Sequence, residues 1–359
     1  LNLPLPYNAF QLFLSIYLAR NLRLDTALIL GFASGVFALS KSSVRMFIGL
    51  SALAPILFLE KNINKVFRKL QSFGFLYVIA LSISFIIYNV QRLSPYLHFV
   101  AVKNKTFVMT IQEFIQNPFF VFFHNIKIIP VYVIWESAFL LPFVGLAGLV
   151  FLFKKDRKLA WYLILWIILP FLALSFFAKV VFPRYLNFFG TSFLILATYF
   201  LSTYKKKAFI SYLVIALMTS FLIFDIPILL ARNSIPFPEI DRGQYIEGTS
   251  AGYGVKEIVD FAREKAKEKP VILVAEGNFG VVGDMLNATL KLSDKINVKG
   301  YWPLNEENLY ENQKLLDKNL VYIVFSHRSE FPGIWPIDLV QKFEKPGGKS
   351  SFYLFKLKK

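Results

Sequence analysis

The 359-residue chain contains no cysteine, which excludes a disulfide scaffold and any zinc site built on thiolates. Its three histidines, His98, His124 and His327, are isolated from one another, so no metal-ligand spacing is visible. Acidic residues are scarce: 23 Asp and Glu stand against 40 Lys and Arg, a net charge of +17. Charge of either sign makes up only 18% of the chain, against about 25% in an ordinary soluble domain. No GxGxxG run and no signal-peptide pattern occur. What fills the space is apolar: 56% hydrophobic residues, 40 Phe, and a mean hydropathy of +0.52. That excludes a disordered chain and a single soluble globule with a polar surface. A bilayer is the simplest home for the excess apolar mass.

The charge is unevenly placed. Residues 1–231 carry 21 Lys and Arg against 6 Asp and Glu, a surplus of 15; residues 232–359 carry 19 against 17, a surplus of 2. The first part is apolar with basic punctuation between hydrophobic runs, which points to a membrane surface and not to nucleic acid. The second has the composition of a soluble domain. The domain division is therefore 1–231, a transmembrane helical domain, and 232–359, a soluble one. The chain begins with Leu1 inside an apolar stretch, which reads as a sequence whose N-terminal portion is missing.

A spanning helix needs about 20 mostly apolar residues. Eight segments are candidates: 7–19, 25–40, 43–59, 73–90, 137–153, 159–178, 185–203 and 208–230. Placing Lys205, Lys206 and Lys207 in the cytoplasm fixes the alternation. Four short cytoplasmic connections then hold 13 of the 21 cations, and the opposite connections hold 8 over about twice the length. The same threading puts 232–359 outside the cytoplasm. The connection 91–136 is long. Within it, 106–123 has Phe107, Ile111, Phe114 and Ile115 at helical spacing with Gln112, Glu113 and Gln116 opposite, the pattern of an interfacial helix. The run 126–135 reads as re-entrant; the alternative is a ninth span over 118–135.

Beyond Pro236 and Pro238, which mark a linker, helix and strand patterns alternate. Helices are expected over 254–269, 279–292 and 305–316, and strands over 271–276, 296–301 and 320–326. A closing hairpin, 339–345 and 351–357, turns at Lys345-Pro346-Gly347-Gly348. This is a small α/β sheet domain. Gly252-Tyr253-Gly254 and Glu276-Gly277-Asn278-Phe279-Gly280 precede helices; turn and cap glycines explain them better than phosphate binding.

Few residues carry chemistry. Lys41 and Arg45 close a hydrophobic helix in ALSKSSVR, and Pro183-Arg184-Tyr185 opens another on the same face. Each is readable as an interfacial anchor or as a ligand for a lipid phosphate. Glu113 and Glu136 are the acids of the 91–136 connection. Asp225 is an acid near the end of the last apolar run.

The run LRLDTALILGFASGVFALSKS (22–42), with its Ser40-Lys41 step, and Pro183-Arg184-Tyr185 resemble membrane glycosyltransferases of the dolichyl-phosphate-mannose protein mannosyltransferase type (glycosyltransferase family 39). The segments 91–105, 241–258, 299–304 and 344–351 resemble bacterial or candidate-phylum members with an extracytoplasmic C-terminal domain. The resemblance implies a GT-C fold: a multi-pass α-helical membrane protein of the cell membrane, about eight helices here, followed by a small extracytoplasmic α/β domain. It implies an inverting transferase that takes a sugar from a polyprenyl-phosphate carrier to a lipid, glycan or protein acceptor. The family's catalytic Asp lies in its first external loop. No acid here matches it, since Asp25 threads to the cytoplasmic side, so a fragment inactive alone is expected. Lys41, Arg184 and Tyr185 would hold the carrier phosphate, with Glu113, Glu136 and Arg92 as accessory candidates. No cofactor is evident, and the family's use of divalent metal varies. A transporter or flippase, and a membrane-anchored binding module, are the rival readings.

Overall fold

The computed structural model describes residues 5–41, 43–95, 97, 105–277 and 282–359. His98 and most of the 91–105 segment fall outside them, as do 278–281. The chain forms two compact units, Leu1–Ile226 and Pro227–Lys359. It is mostly helical, with one five-stranded sheet.

The described helices of the first unit are α1 (Leu5–Asn21), α2 (Leu24–Ser40), α3 (Val44–Ser51), α4 (Ile63–Asn89), α5 (Ile111–Gln116), α6 (Phe122–Glu136), α7 (Leu141–Lys155), α8 (Arg157–Phe177), α9 (Asn187–Thr203) and α10 (Lys207–Leu230). Their starts follow from local chemistry. The Asn62 side chain accepts from the Asn64 and Lys65 amides at the head of α4, and Asp156 accepts from the Leu159 amide at the head of α8. Lys154 and Lys155 close α7, where cations favour the negative end of the helix dipole.

Among the described residues three helices are long and apolar enough to cross a membrane: residues 63–93, Arg157–Phe177 and Lys207–Leu230. A fourth joins them if α6 and α7, bent by 99° at their junction, count as one span. Eight spans are expected from composition. Helix α2 is apolar but has 17 residues, about 25 Å of rise, short of a hydrocarbon core of about 30 Å. The α6–α7 break is made by Ala138 and Phe139, both with positive φ (50° and 65°). For residues with a Cβ that backbone is costly, about 1–2 kcal/mol each.

Two glycine seams hold the unit together. A Cβ on Gly31 would lie 2.6 Å from the Ala80 carbonyl oxygen, and one on Gly35 2.7 Å from the Ile87 Cβ, so α2 and α4 touch backbone to backbone. In the second seam, a Cβ on Gly148 would lie 2.0 Å from the Leu196 carbonyl oxygen, and one on Gly145 2.9 Å from Phe193. Small residues permit such approach, and dispersion between the backbones rewards it.

The single interfacial helix expected over 106–123 is broken: residues 106–107, α5 and the first two residues of α6 are helical, and the stretches between them are not. Residue 108 instead forms an antiparallel bridge with Ala178, with Met109 N donating to Phe177 O and Lys179 N to Phe107 O. Thr110 caps α5 in a capping box with Glu113, and Pro118 follows its end.

In the second unit the described helices are α11 (Glu239–Arg242), α12 (Val255–Lys265), α13 (Val282–Thr289) and α14 (Glu306–Gln313). The strands are β1 (Val271–Glu276), β2 (Ile296–Tyr301), β3 (Leu320–Phe325), β4 (Ile337–Glu344) and β5 (Ser351–Leu357), in the order β2-β1-β3-β5-β4. β1 runs parallel to β2 and β3; β5 is antiparallel to β3 and β4. Alternate β1 residues feed two cores. Val271, Leu273 and Ala275 meet α12 and α13, while Ile272 and Val274 meet α14 and Trp335. Gly254 caps α12 at φ +98°, and a side chain there would press on Phe343 and Phe352. Lys345, in the β4–β5 turn, is buried. Its ammonium donates to the Gly248 and Thr249 carbonyls (3.0 and 2.9 Å) and to Ser326 Oγ (3.0 Å), and lies over the Phe352 ring. Burial pushes its pKa down to about 8.

Candidate functional site

One end of the helical unit gathers its chemistry. The chain leaves α2 at Lys41, whose amide donates to Phe37 O, and enters α9 through the short helical turn Pro183–Tyr185. These stretches, remote in sequence, meet at the Tyr185 ring. The Lys41 ammonium lies 5.9 Å from its centroid, and the Arg184 guanidinium lies 5.1 Å from the same point. Arg184 also stacks on Phe182 at 5.0 Å, and its Nη2 stands 3.5 Å from the Tyr185 hydroxyl. Aromatic faces hold cations in place.

Burial, and then the neighbouring Arg184 charge, push the Lys41 ammonium below its ordinary pKa, while Glu136 at the end of α6 pulls it back up. Lys41 makes no ion pair among the described residues. Two cations held on one ring, with the Glu136 carboxylate beside Lys41, form a polar cluster of the kind that recognises a phosphate.

Lys41, Arg184, Tyr185 and Glu136 therefore share one place. The other accessory candidates do not share its geometry. Glu113 is occupied elsewhere: it accepts from Lys179 Nζ at 2.7 Å and from the Thr110 amide at 2.7 Å, which hold its carboxyl down to about 2. Arg92 is exposed on the helical turn after α4. Arg45 lies over the Tyr88 ring at 5.0 Å. There it rims an apolar cavity of about 440 Å³ between α2, α3 and α4, lined by Ala38, Ile48, Val78 and Phe85.

Sequence reasoning missed a polar group on α1. Tyr7 packs on Phe37 with rings 5.7 Å apart and has Ser43 and Asn8 as polar neighbours. Asn8 and Gln11 are almost fully buried, and their amides find no hydrogen-bond partner among the described residues. Leaving such groups unpaired costs about 1–3 kcal/mol each. Amides both donate and accept, as the hydroxyls of a sugar do. The signal was present in the i, i+3 spacing of two amides on an otherwise apolar helix. Among the described residues no group of three or more His, Cys, Asp or Glu could hold a metal ion.

The chain matches no family model, no curated protein and no solved structure.

Proposed function

We propose that the chain is a multi-pass membrane protein of glycosyltransferase type, using a polyprenyl-phosphate sugar donor and a lipid, glycan or protein acceptor. The observation that carries the reading is the pair of cations, Lys41 and Arg184, on one tyrosine ring at one end of the helical unit. As a sugar leaves its carrier, negative charge grows on the phosphate. Preorganised cations stabilise that charge most where water is scarce. Glu136 tunes Lys41, and the buried amides of Asn8 and Gln11 suit the hydroxyls of the sugar. The bias of cations toward four connections supports a topology with the second unit outside the cytoplasm.

The test is binding of undecaprenyl phosphate to the chain in lipid nanodiscs. A charge-assisted hydrogen bond is worth about 1.5–3 kcal/mol, so Lys41→Ala or Arg184→Ala should each weaken binding roughly 10- to 150-fold. Lys61→Ala, in another connection, should not. Wild-type affinity in both site variants would overturn the assignment. The 99° break between α6 and α7 favours one rival, a flippase, because broken helices line transport paths. Movement of a fluorescent polyprenyl phosphate between leaflets, with no sugar transfer, would select that rival.

A further inference from the structure

Helices α2, α3 and α4 border a second candidate site, whose polarity follows from how they are threaded. Gly31 packs on Ala80, and Gly35 on Ser84 and Ile87, so α2 and α4 run in the same direction. Their starting end holds Asp25 and Glu60, the only acids between residues 22 and 104. Each is paired locally, Asp25 with Arg23 at 2.5 Å and Glu60 with Lys65 at 3.6 Å. The finishing end holds Lys41, Arg45 and Arg92 and no acid from these helices. Neither Arg45 nor Arg92 makes an ion pair among the described residues.

The cavity of about 440 Å³ between the three helices reaches that cationic end. On α4 its lining runs from Val78 through Leu81 and Phe85 to Tyr88, about 15 Å along the helix axis. Ala38 and Ile48 line it from α2 and α3. Val78, Leu81 and Phe85 are exposed, so the trough is reached from the side of the unit. Arg45, also exposed, lies over the Tyr88 ring at 5.0 Å and marks one end. Among the described residues no acidic side chain lines the trough.

An apolar trough with a cation at one end has the shape of an anionic amphiphile. In a membrane its length selects which one. Half of a hydrocarbon core of about 30 Å is about 15 Å, the depth of one leaflet. A phospholipid acyl chain reaches that depth from its headgroup, whereas a polyprenyl chain is longer than the trough. The headgroup phosphate then falls at Arg45, with Arg92 one turn beyond Tyr88 and no carboxylate from these helices to oppose it. A zwitterionic headgroup would bring its own cation to this positive end. We propose that the groove between α2, α3 and α4 binds one acyl chain of an anionic phospholipid, with the headgroup phosphate on Arg45. The proposal rests on the reading of the helical unit as membrane-embedded, and on neither the transfer chemistry nor the Lys41–Arg184 pair.

The experiment is native mass spectrometry of the whole chain released from detergent micelles. The chain is titrated with palmitoyl-oleoyl phosphatidylglycerol and with the phosphatidylcholine of the same chains, and bound lipids are counted. One phosphatidylglycerol, retained in preference to phosphatidylcholine, is expected. Arg45→Ala should weaken it about fivefold, the worth of one cation near an anionic lipid surface, and Arg45→Lys should restore most of the loss. Ser82→Trp, which fills the trough from an exposed position on α4, should also weaken it while leaving Arg45 in place. Lys61→Ala, at the opposite end, should change nothing. Equal retention of the two lipids, indifference to Arg45→Ala, or displacement of the phosphatidylglycerol by undecaprenyl phosphate would overturn the proposal. Release of the chain from membranes by alkaline carbonate without detergent would overturn the membrane reading as well; a chain that stays in the membrane and shows no lipid preference overturns this proposal alone.

Discussion

Replacing Gly148 with alanine probes the packing on which the helical unit rests. The added methyl would stand 2.0 Å from the Leu196 carbonyl oxygen, where ordinary contact begins at 3.4 Å. Helices α7 and α9 must then part by roughly 1.4 Å, and overpacking of this kind costs about 3 kcal/mol. Alanine is the better helix former by about 1 kcal/mol, so the net loss is about 2 kcal/mol. Gly74 supplies the control. It lies inside α4, and a methyl there meets nothing within 4 Å. Gly74→Ala should therefore gain up to about 1 kcal/mol from propensity alone. Reversible unfolding by SDS in mixed micelles, followed by far-ultraviolet circular dichroism, measures both. The two variants should differ by about 3 kcal/mol. If Gly148→Ala proved as stable as wild type, the backbone contact between α7 and α9 would be refuted.

Other outcomes follow from the polar groups. Glu113 has a folded pKa of about 2, below its ordinary value of 4.5, so its contribution is present above pH 4.5 and lost as pH falls toward 2. Hydrogen exchange at residues 110–116 should accelerate over that window, and Glu113→Gln should remove the pH dependence. Lys345→Ala leaves the Gly248 and Thr249 carbonyls and Ser326 Oγ without their donor. It should cost about 3–5 kcal/mol of second-unit stability in urea, and a loss below 1 kcal/mol would contradict the burial argument. Gly347 has φ +85°, and a Cβ there would press on the Glu247 carboxylate at 2.9 Å. Gly347→Ala should lower the thermal midpoint of that unit by several degrees, while Gly333→Ala, which meets nothing, should not.

Where one physical term dominated, the residues were legible. VILVAE and LVYIVF are unbroken apolar runs between polar segments, and both are central strands, β1 and β3. Lys-Pro-Gly-Gly reads as a turn, and it is one. Its lysine is nevertheless buried, because three oxygen acceptors from distant segments converge on it, and no local pattern announces that. The break at 138–139 was invisible for a related reason. Alanine and phenylalanine are not turn formers, and only tertiary packing places them at positive φ. The stretch 106–123 is not one continuous helix because period counting ignored a Thr N-cap and a proline that together confine α5 to six residues. Lys41 and Arg184 could each be nominated from sequence as cations at helix ends. Their convergence on Tyr185 is a fact of folding that spacing does not encode.

The glycine seams also bear on ancestry. A position where a methyl would overlap a carbonyl oxygen admits a single residue, so its identity should outlast nearly everything around it. Exposed aromatic and aliphatic positions can drift among many residues of similar size. Gly31, Gly145 and Gly148, with Ala80 opposite the first, thus form a sparse signature spread over two helix pairs. Distant kin of this chain would be found by those few columns more readily than by overall likeness.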